Sequence, residues 1–145
     1  MLETSELLKK AEAFASEMHS GQFDRGGVPY IEHPRFVASK VDGELEKAVA
    51  WLHDVVEDTE ATVQDVRALF GDEVADAVEL LTHKKGVPYL EYVRGIKKNE
   101  IARKVKMADL QHNMDISRLP IVGDDDWNRV AKYRKAYDIL SKAQR

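Results

Sequence analysis

Cysteine is absent from the 145 residues. That excludes disulfide staples and thiolate metal sites, and it fits a reducing cytoplasm, the expected location. Long apolar runs are absent as well, and none approaches the ~20 residues of a membrane span. The opening MLETSELLKKAEAF is amphipathic and lacks the unbroken apolar core of a signal peptide. No membrane partner is expected. A surplus of positive charge is also missing. The 22 Lys and Arg against 26 Asp and Glu leave a net charge of −4, so no overall basic field draws the chain to nucleic acid. Strand-like alternation never lasts long enough to define a strand, and there is no internal repeat, low-complexity tract or linker.

What is present is a globular composition, 43% hydrophobic and 33% charged, in a length suited to one domain spanning residues 1–145. Helical periodicity runs nearly throughout. Thr4 or Ser5 is placed to cap a first helix whose apolar positions include Leu7, Leu8, Ala11, Phe14, Ala15 and Met18. The glycine-rich GQFDRGGVPY reads as a loop. A helix follows from about Ile31 to Lys40, with Pro34 tolerated near its start. Another runs from Glu44 to about Val56. Thr62 caps the next, which Gly71 ends. Further helices cover Glu73 to Leu81, Pro88 to Lys97, the buried EIARKVKMADLQHNM, and Trp127 to Ala143.

One stretch, WLHDVVEDT, combines core residues with chemistry. Without thiols, histidine and aspartate are the natural ligands for a divalent transition ion. The candidates are His33, the adjacent His53 and Asp54, and Asp109 from a distant helix. Two His and two carboxylates suit Mn²⁺, Fe²⁺ or Zn²⁺. Glu57 lies four residues after His53 and Asp58 four after Asp54. In a continuous helix each pair shares a face, and the acids sit about 5–6 Å further along the axis, within reach of an attacking water rather than of the ion. Lys106 three residues before Asp109, and Asn113 four after it, present an ammonium and an amide to a ligand. Each feature has an ordinary reading too: EDTEAT as a solvated helix end, the KK pairs as surface, Trp51 and its Leu and Val neighbours as core.

Three blocks taken together go further. HSGQFDRGGVPYIEHP, WLHDVVEDT and VKMADLQHNMD, with FGDEVADAVELLT between the second and third, resemble the hydrolase half of the RelA/SpoT family and the small stand-alone alarmone hydrolases, members of the HD-domain metal-dependent phosphohydrolases. The resemblance runs from about Leu7 to Leu119. It implies an all-α HD-domain helical bundle forming a single domain, with one Mn²⁺ held by His33, His53, Asp54 and Asp109. It implies Glu57 and Asp58 as the catalytic acidic pair and a phosphorylated nucleotide as substrate, with pyrophosphate removed from the 3′ position of guanosine 3′,5′-bis(diphosphate). Asn113 matches a sugar-contacting residue, Tyr30 lies in the matching loop, and Lys106 matches either a ligand contact or a helix support. No synthetase domain follows, so pyrophosphate transfer from ATP is not expected.

Two positions depart from the family pattern. The arginine after GQ-x is Asp24 here, with Arg25 next, and the arginine of ADR-x-HN is Leu110. An aspartate cannot stack on a base and repels phosphate, so Arg25 becomes the candidate for a shifted contact. The departures keep two alternatives open. One is a nucleotide or dinucleotide phosphatase acting on a 2′- or 3′-phosphate, as in NADPH. The other is an alarmone-binding regulator without turnover. The oligomeric state is not encoded in any of these features.

Overall fold

The computed structural model describes residues 2–142. Among the described residues are nine α-helices and one short 3₁₀ turn: α1 Leu2–Met18, α2 Glu32–Ser39, α3 Glu44–Leu52, α4 Val55–Asp58, α5 Val63–Phe70, α6 Asp72–Leu81, α7 Tyr89–Ile96, α8 Glu100–Asn113 and α9 Asp124–Ser141, with the 3₁₀ turn at Ile116–Arg118. The expected all-α class holds. Among the described residues, extended pairing is confined to one isolated bridge between Phe23 and Pro29. No helix is long and apolar enough to cross a membrane.

α3 is the centre of the bundle. Ala48, Val49, Ala50 and Leu52 are fully buried and Trp51 nearly so, and α1, α2, α6 and α8 pack around this segment. Each buried Val or Leu contributes roughly 1.5–3 kcal/mol relative to exposure, which is why an apolar helix here can carry polar residues at its end. α8 joins this core through Ala102, Val105 and Leu110 and supports α9 on another side.

Local chemistry sets the boundaries. Thr62 Oγ1 accepts from the Asp65 amide at 3.1 Å, and Asp65 Oδ2 accepts from the Thr62 amide at 3.0 Å, a reciprocal capping box. Gly71, at φ +94°, ends α5 and lets α6 begin at once. Asn99 caps α8 by accepting from the Ala102 amide. Pro34 lies in the first turn of α2, where its missing N–H costs nothing.

Three boundary expectations fail. α9 begins at Asp124 rather than Trp127, and its expected end at Ala143 lies outside the described residues. α1 begins at Leu2, so Thr4 and Ser5 lie within it rather than at its cap. The helix from Glu44 to about Val56 is broken: α3 stops at Leu52, His53 and Asp54 form a turn, and α4 resumes for four residues. Both turn residues keep right-handed dihedrals, His53 at φ −61° and Asp54 at φ −107°, and their side chains meet at one buried point.

Candidate metal centre

His33 comes from the first turn of α2, His53 and Asp54 from the α3–α4 break, and Asp109 from the middle of α8. The bundle brings one ligand atom of each within 4.8 Å of all the others. His33 Nε2 lies 2.8 Å from Asp109 Oδ1 and 3.7 Å from Asp54 Oδ2. His53 Nε2 lies 3.1 Å from Asp54 Oδ2 and 3.4 Å from Asp109 Oδ1.

The donor set fits a divalent cation on an observation internal to the fold. His53 Nδ1 donates to the Ala50 carbonyl at 2.6 Å, which leaves Nε2 as the nitrogen aimed at the cluster. That Nε2 is buried and makes no hydrogen bond despite its carboxylate neighbours. An aimed, buried, unpartnered imidazole nitrogen between two carboxylates is what a cation would complete. Burial alone would lower the His53 pKa, but the Asp54 and Asp109 carboxylates outweigh it and raise it well above the usual value. A proton therefore competes for the place a cation would take. Burial would raise Asp54, yet the His53 charge holds it below the usual carboxylate range. Asp109 is likewise held far below that range, because Lys106 and the two imidazoles outweigh its burial.

A second layer of side chains orients these four. His33 Nδ1 meets His112 Nδ1 at 2.7 Å, and the His112 ring lies stacked between His33 and Phe36. The Lys106 ammonium donates to Asp109 Oδ2 at 2.9 Å, and Asn113 Nδ2 to Asp109 Oδ1 at 3.0 Å. Burial would lower Lys106, but Asp109 raises it well above its ordinary value, so it stays charged. The Tyr30 hydroxyl donates to Asp54 Oδ2. Burial and Asp54 push that phenol's pKa far up, which keeps it a donor.

Glu57 and Asp58 stand at the rim of a half-open cleft of about 290 Å³ that also reaches Asp54, Asp109 and Lys106. Glu57 Oε1 accepts from the His83 amide at 2.9 Å. Burial, with the charges of Asp54 and Glu57, pushes the Asp58 carboxyl up to about 6. The opposite wall is aromatic and cationic. Lys132 Nζ lies 4.5 Å from the Tyr89 ring centre, and Tyr92 and Tyr133 complete the wall.

A neighbouring cavity of about 410 Å³ shares Tyr30, Asn113 and Tyr133 with the cleft and is more apolar, with Phe23 at its mouth. Arg25 and Arg129 both donate to the Asp126 carboxylate, Arg25 at 2.5 Å. Asp24 turns inward on its own loop: its Oδ1 accepts from the Gly26 and Val28 amides at 2.8 and 2.9 Å. Leu110 is fully buried in the core, so that departure from the family pattern does not reach either cavity.

All ten candidate residues thus lie in or against one contiguous region, with Arg25 at its far end, fastened to α9. The sequence reading missed Asp126, Arg129, Lys132 and Tyr133 from α9, the aromatic wall of α7, and His112. The acidic run before Trp127 carried one signal: Asp126 lies three residues after Gly123 and caps it through Oδ2. His112 carried none, since an imidazole on a buried helix reads as core.

The HD domain family profile matches residues 11–117. The chain belongs to the HD domain family. This HD-domain chain is 37% identical over 129 residues to the bifunctional (p)ppGpp synthase/hydrolase SpoT of Escherichia coli, covering 74% of the chain and 17% of SpoT. It is 31% identical over 144 residues to a probable guanosine-3′,5′-bis(diphosphate) 3′-pyrophosphohydrolase of Synechocystis, covering 89% of the chain and 19% of that protein. The HD-domain chain therefore spans about a fifth of the length of the curated relatives it matches. Among solved structures it resembles a metazoan ortholog of SpoT, described as hydrolyzing ppGpp and playing a role in starvation responses. That match has a TM-score of 0.79 at 25% identity and covers 94% of this chain and 86% of the other. The HD domain is thus related to the RelA/SpoT hydrolase domain.

Proposed function

We propose that residues 1–145 act as one metal-dependent phosphohydrolase domain that removes the 3′-pyrophosphate of guanosine 3′,5′-bis(diphosphate), with Mn²⁺ held by His33, His53, Asp54 and Asp109. The observation that carries this reading is the convergence of those four ligands beneath a cleft whose rim holds Glu57 and Asp58 on one side and Lys106 and Lys132 on the other. The activities named for its relatives support the same reaction class.

A divalent cation held by His33, His53, Asp54 and Asp109 would supply Lewis acidity there. The chain's own groups do the rest. Glu57 and Asp58 hold the water and accept its proton as its oxygen adds to phosphorus. The bond from phosphorus to the 3′-oxygen breaks, that oxygen takes up a proton from the acidic pair, and guanosine 5′-diphosphate and pyrophosphate leave. Lys106 and Lys132 neutralise the phosphate charge. Asn113, between the two cavities, suits the sugar, and the more apolar cavity suits the base beside Phe23 and Arg25. Tyr30 and His112 act by orienting Asp54 and His33 rather than by touching the reacting atoms.

The Asp24 turn and the tethering of Arg25 to Asp126 favour a second reading, a phosphatase of other nucleotides or dinucleotides using the same centre. An assay of ppGpp beside NADPH and nucleoside monophosphates, with added Mn²⁺, separates the two. Release of pyrophosphate from ppGpp far faster than phosphate from the others is expected. Preference for a monophosphoryl substrate refutes the alarmone assignment, and tight ppGpp binding without product points to a regulator. Asp54→Ala and Glu57→Ala are each expected to abolish turnover with the helical fold kept; full activity in both refutes hydrolysis at this centre.

A further inference from the structure

The side of α8 turned away from the metal centre carries a different anomaly. Lys106, Asp109 and Asn113 share one face, whereas Arg103, Met107 and Gln111 are centred roughly 130° around the helix. Arg103 is 6% exposed. The other two buried charged side chains, Asp109 and Asp126, each have cationic partners. Arg103 does not. Among the described residues no carboxylate reaches ion-pair distance of it, and its guanidinium contact is a weak one, to Met107 Sδ at 3.5 Å. A guanidinium cannot shed its proton, and the Arg103 nitrogens without a protein partner open onto solvent rather than onto a carboxylate.

Arg103 lines a half-open cleft of about 340 Å³ between the start of α3, α8 and α9. Lys40 and Lys104 line it as well. The Tyr137 hydroxyl accepts from Gln111 Nε2 at 3.2 Å, which leaves its own proton to donate into the cleft. Two carboxylates also border it. Glu46 is folded back on the start of α3, where a Cβ on Gly43 would meet its Oε1 at 1.8 Å, and Asp42 is exposed at the edge. Lys104 is partly occupied by Glu100 at 3.1 Å. Of the described residues lining the cleft, Lys40 and Arg103 are the cationic groups left without an acidic partner, and Arg103 is the deeper of the two.

We propose that the α3–α8–α9 cleft is a second ligand site, distinct from the metal centre, that binds a small molecule through an oxyanion group seated on Arg103. Guanidinium matches both phosphate and carboxylate in bidentate geometry, and the cleft volume falls within the range of small-ligand sites. The inference does not depend on the reaction at the metal centre.

The test is calorimetric titration of the metal-depleted full chain with inorganic phosphate and, separately, succinate. The chains compared are wild type, Asn113→Ala, Arg103→Met and Tyr137→Phe. Binding in wild type that persists in Asn113→Ala and weakens at least tenfold in Arg103→Met is expected, with a smaller weakening in Tyr137→Phe. The tighter of the two probes identifies the oxyanion. Equal binding by wild type and Arg103→Met overturns the proposal. If Arg103→Met does not fold, Tyr137→Phe decides: weakened binding supports the site, and unchanged binding overturns it.

Discussion

Asp126→Asn is the sharpest perturbation of the region, because it changes charge and hydrogen-bond polarity without changing shape. Asp126 is 4% exposed and accepts only from donors: Arg25 Nη1 at 2.5 Å, Arg129, and the Gly123 amide at 2.9 Å. An asparagine has one acceptor oxygen and must point its NH₂ at either the arginines or the Gly123 amide. A charge-assisted bond is worth about 1.5–3 kcal/mol. The guanidinium sides are 59% and 37% exposed, so water takes over part of that and about 1 kcal/mol is lost. The donor facing a donor costs about 1 kcal/mol more. The sum, about 2 kcal/mol, corresponds to a melting point lower by roughly 4–8 °C in a chain near 150 residues. Differential scanning calorimetry measures it, and the difference is expected to shrink in 0.5 M salt as the half-exposed pairs are screened. Released from Asp126, Arg25 and Arg129 no longer hold the apolar cavity's wall, so KM is expected to rise several-fold while kcat stays within about twofold. An Asp126→Asn protein as stable as wild type with unchanged KM refutes the reasoning.

Other perturbations probe the remaining layers. Tyr30→Phe and His112→Phe each remove a partner of a ligand and are expected to weaken Mn²⁺ binding about 10–100-fold by calorimetric titration, with the helical signal unchanged. Burial and like charge raise the folded-state pKa of Asp58 to about 6, so its ionised form opposes folding. That penalty is absent below the unfolded pKa near 4, grows as pH rises toward 6, and is full above it. Asp58→Asn is therefore expected to raise the melting temperature of the metal-depleted protein at pH 8 and leave it unchanged at pH 4; an unchanged value at pH 8 contradicts the assignment. Thr62→Ala removes half of the capping box at the start of α5 and is expected to cost about 1 kcal/mol in urea unfolding, with turnover unaffected.

Residues that owe their position to periodicity or to a cap were legible before any coordinate. The stripe on α1, the Thr62 cap, the Gly71 stop and the α8 helix all follow from local rules. The four ligand candidates were also within reach, since His and Asp are the divalent-ion chemistry left to a chain without thiols. The α9 contribution was not legible. Tyr133 and Val130 share an apolar stripe, so Tyr133 reads as core, and nothing in the spacing reveals that the helix crosses beside α7 and brings Lys132 over Tyr89. Such tertiary juxtaposition has no sequence period. Arg25 illustrates the same limit: a loop arginine next to Asp24 gives no hint that its partner is Asp126, 101 residues away.

The break at His53 and Asp54 joins these themes. Helix propensity and the apolar pattern both favour continuing through WLHDVVEDT, and the structure departs from that pattern at the two residues that carry chemistry. An ideal helix sets consecutive side chains about 100° apart. The turn instead sets His53 Nε2 within 3.1 Å of Asp54 Oδ2. The helical spacing survives just enough for the Asp58 amide to reach the Asp54 carbonyl at 2.9 Å, so the acidic pair is still delivered one turn on, at the rim of the cleft. Gln22 stabilises this arrangement from outside by donating to the Asp58 carbonyl at 2.9 Å, tying the Asp24 loop to the same turn. The loop that departs from the family pattern is thus anchored to the segment that keeps it, which is a physical route by which changes at Asp24 and Arg25 can alter substrate choice while leaving the metal ligands in place.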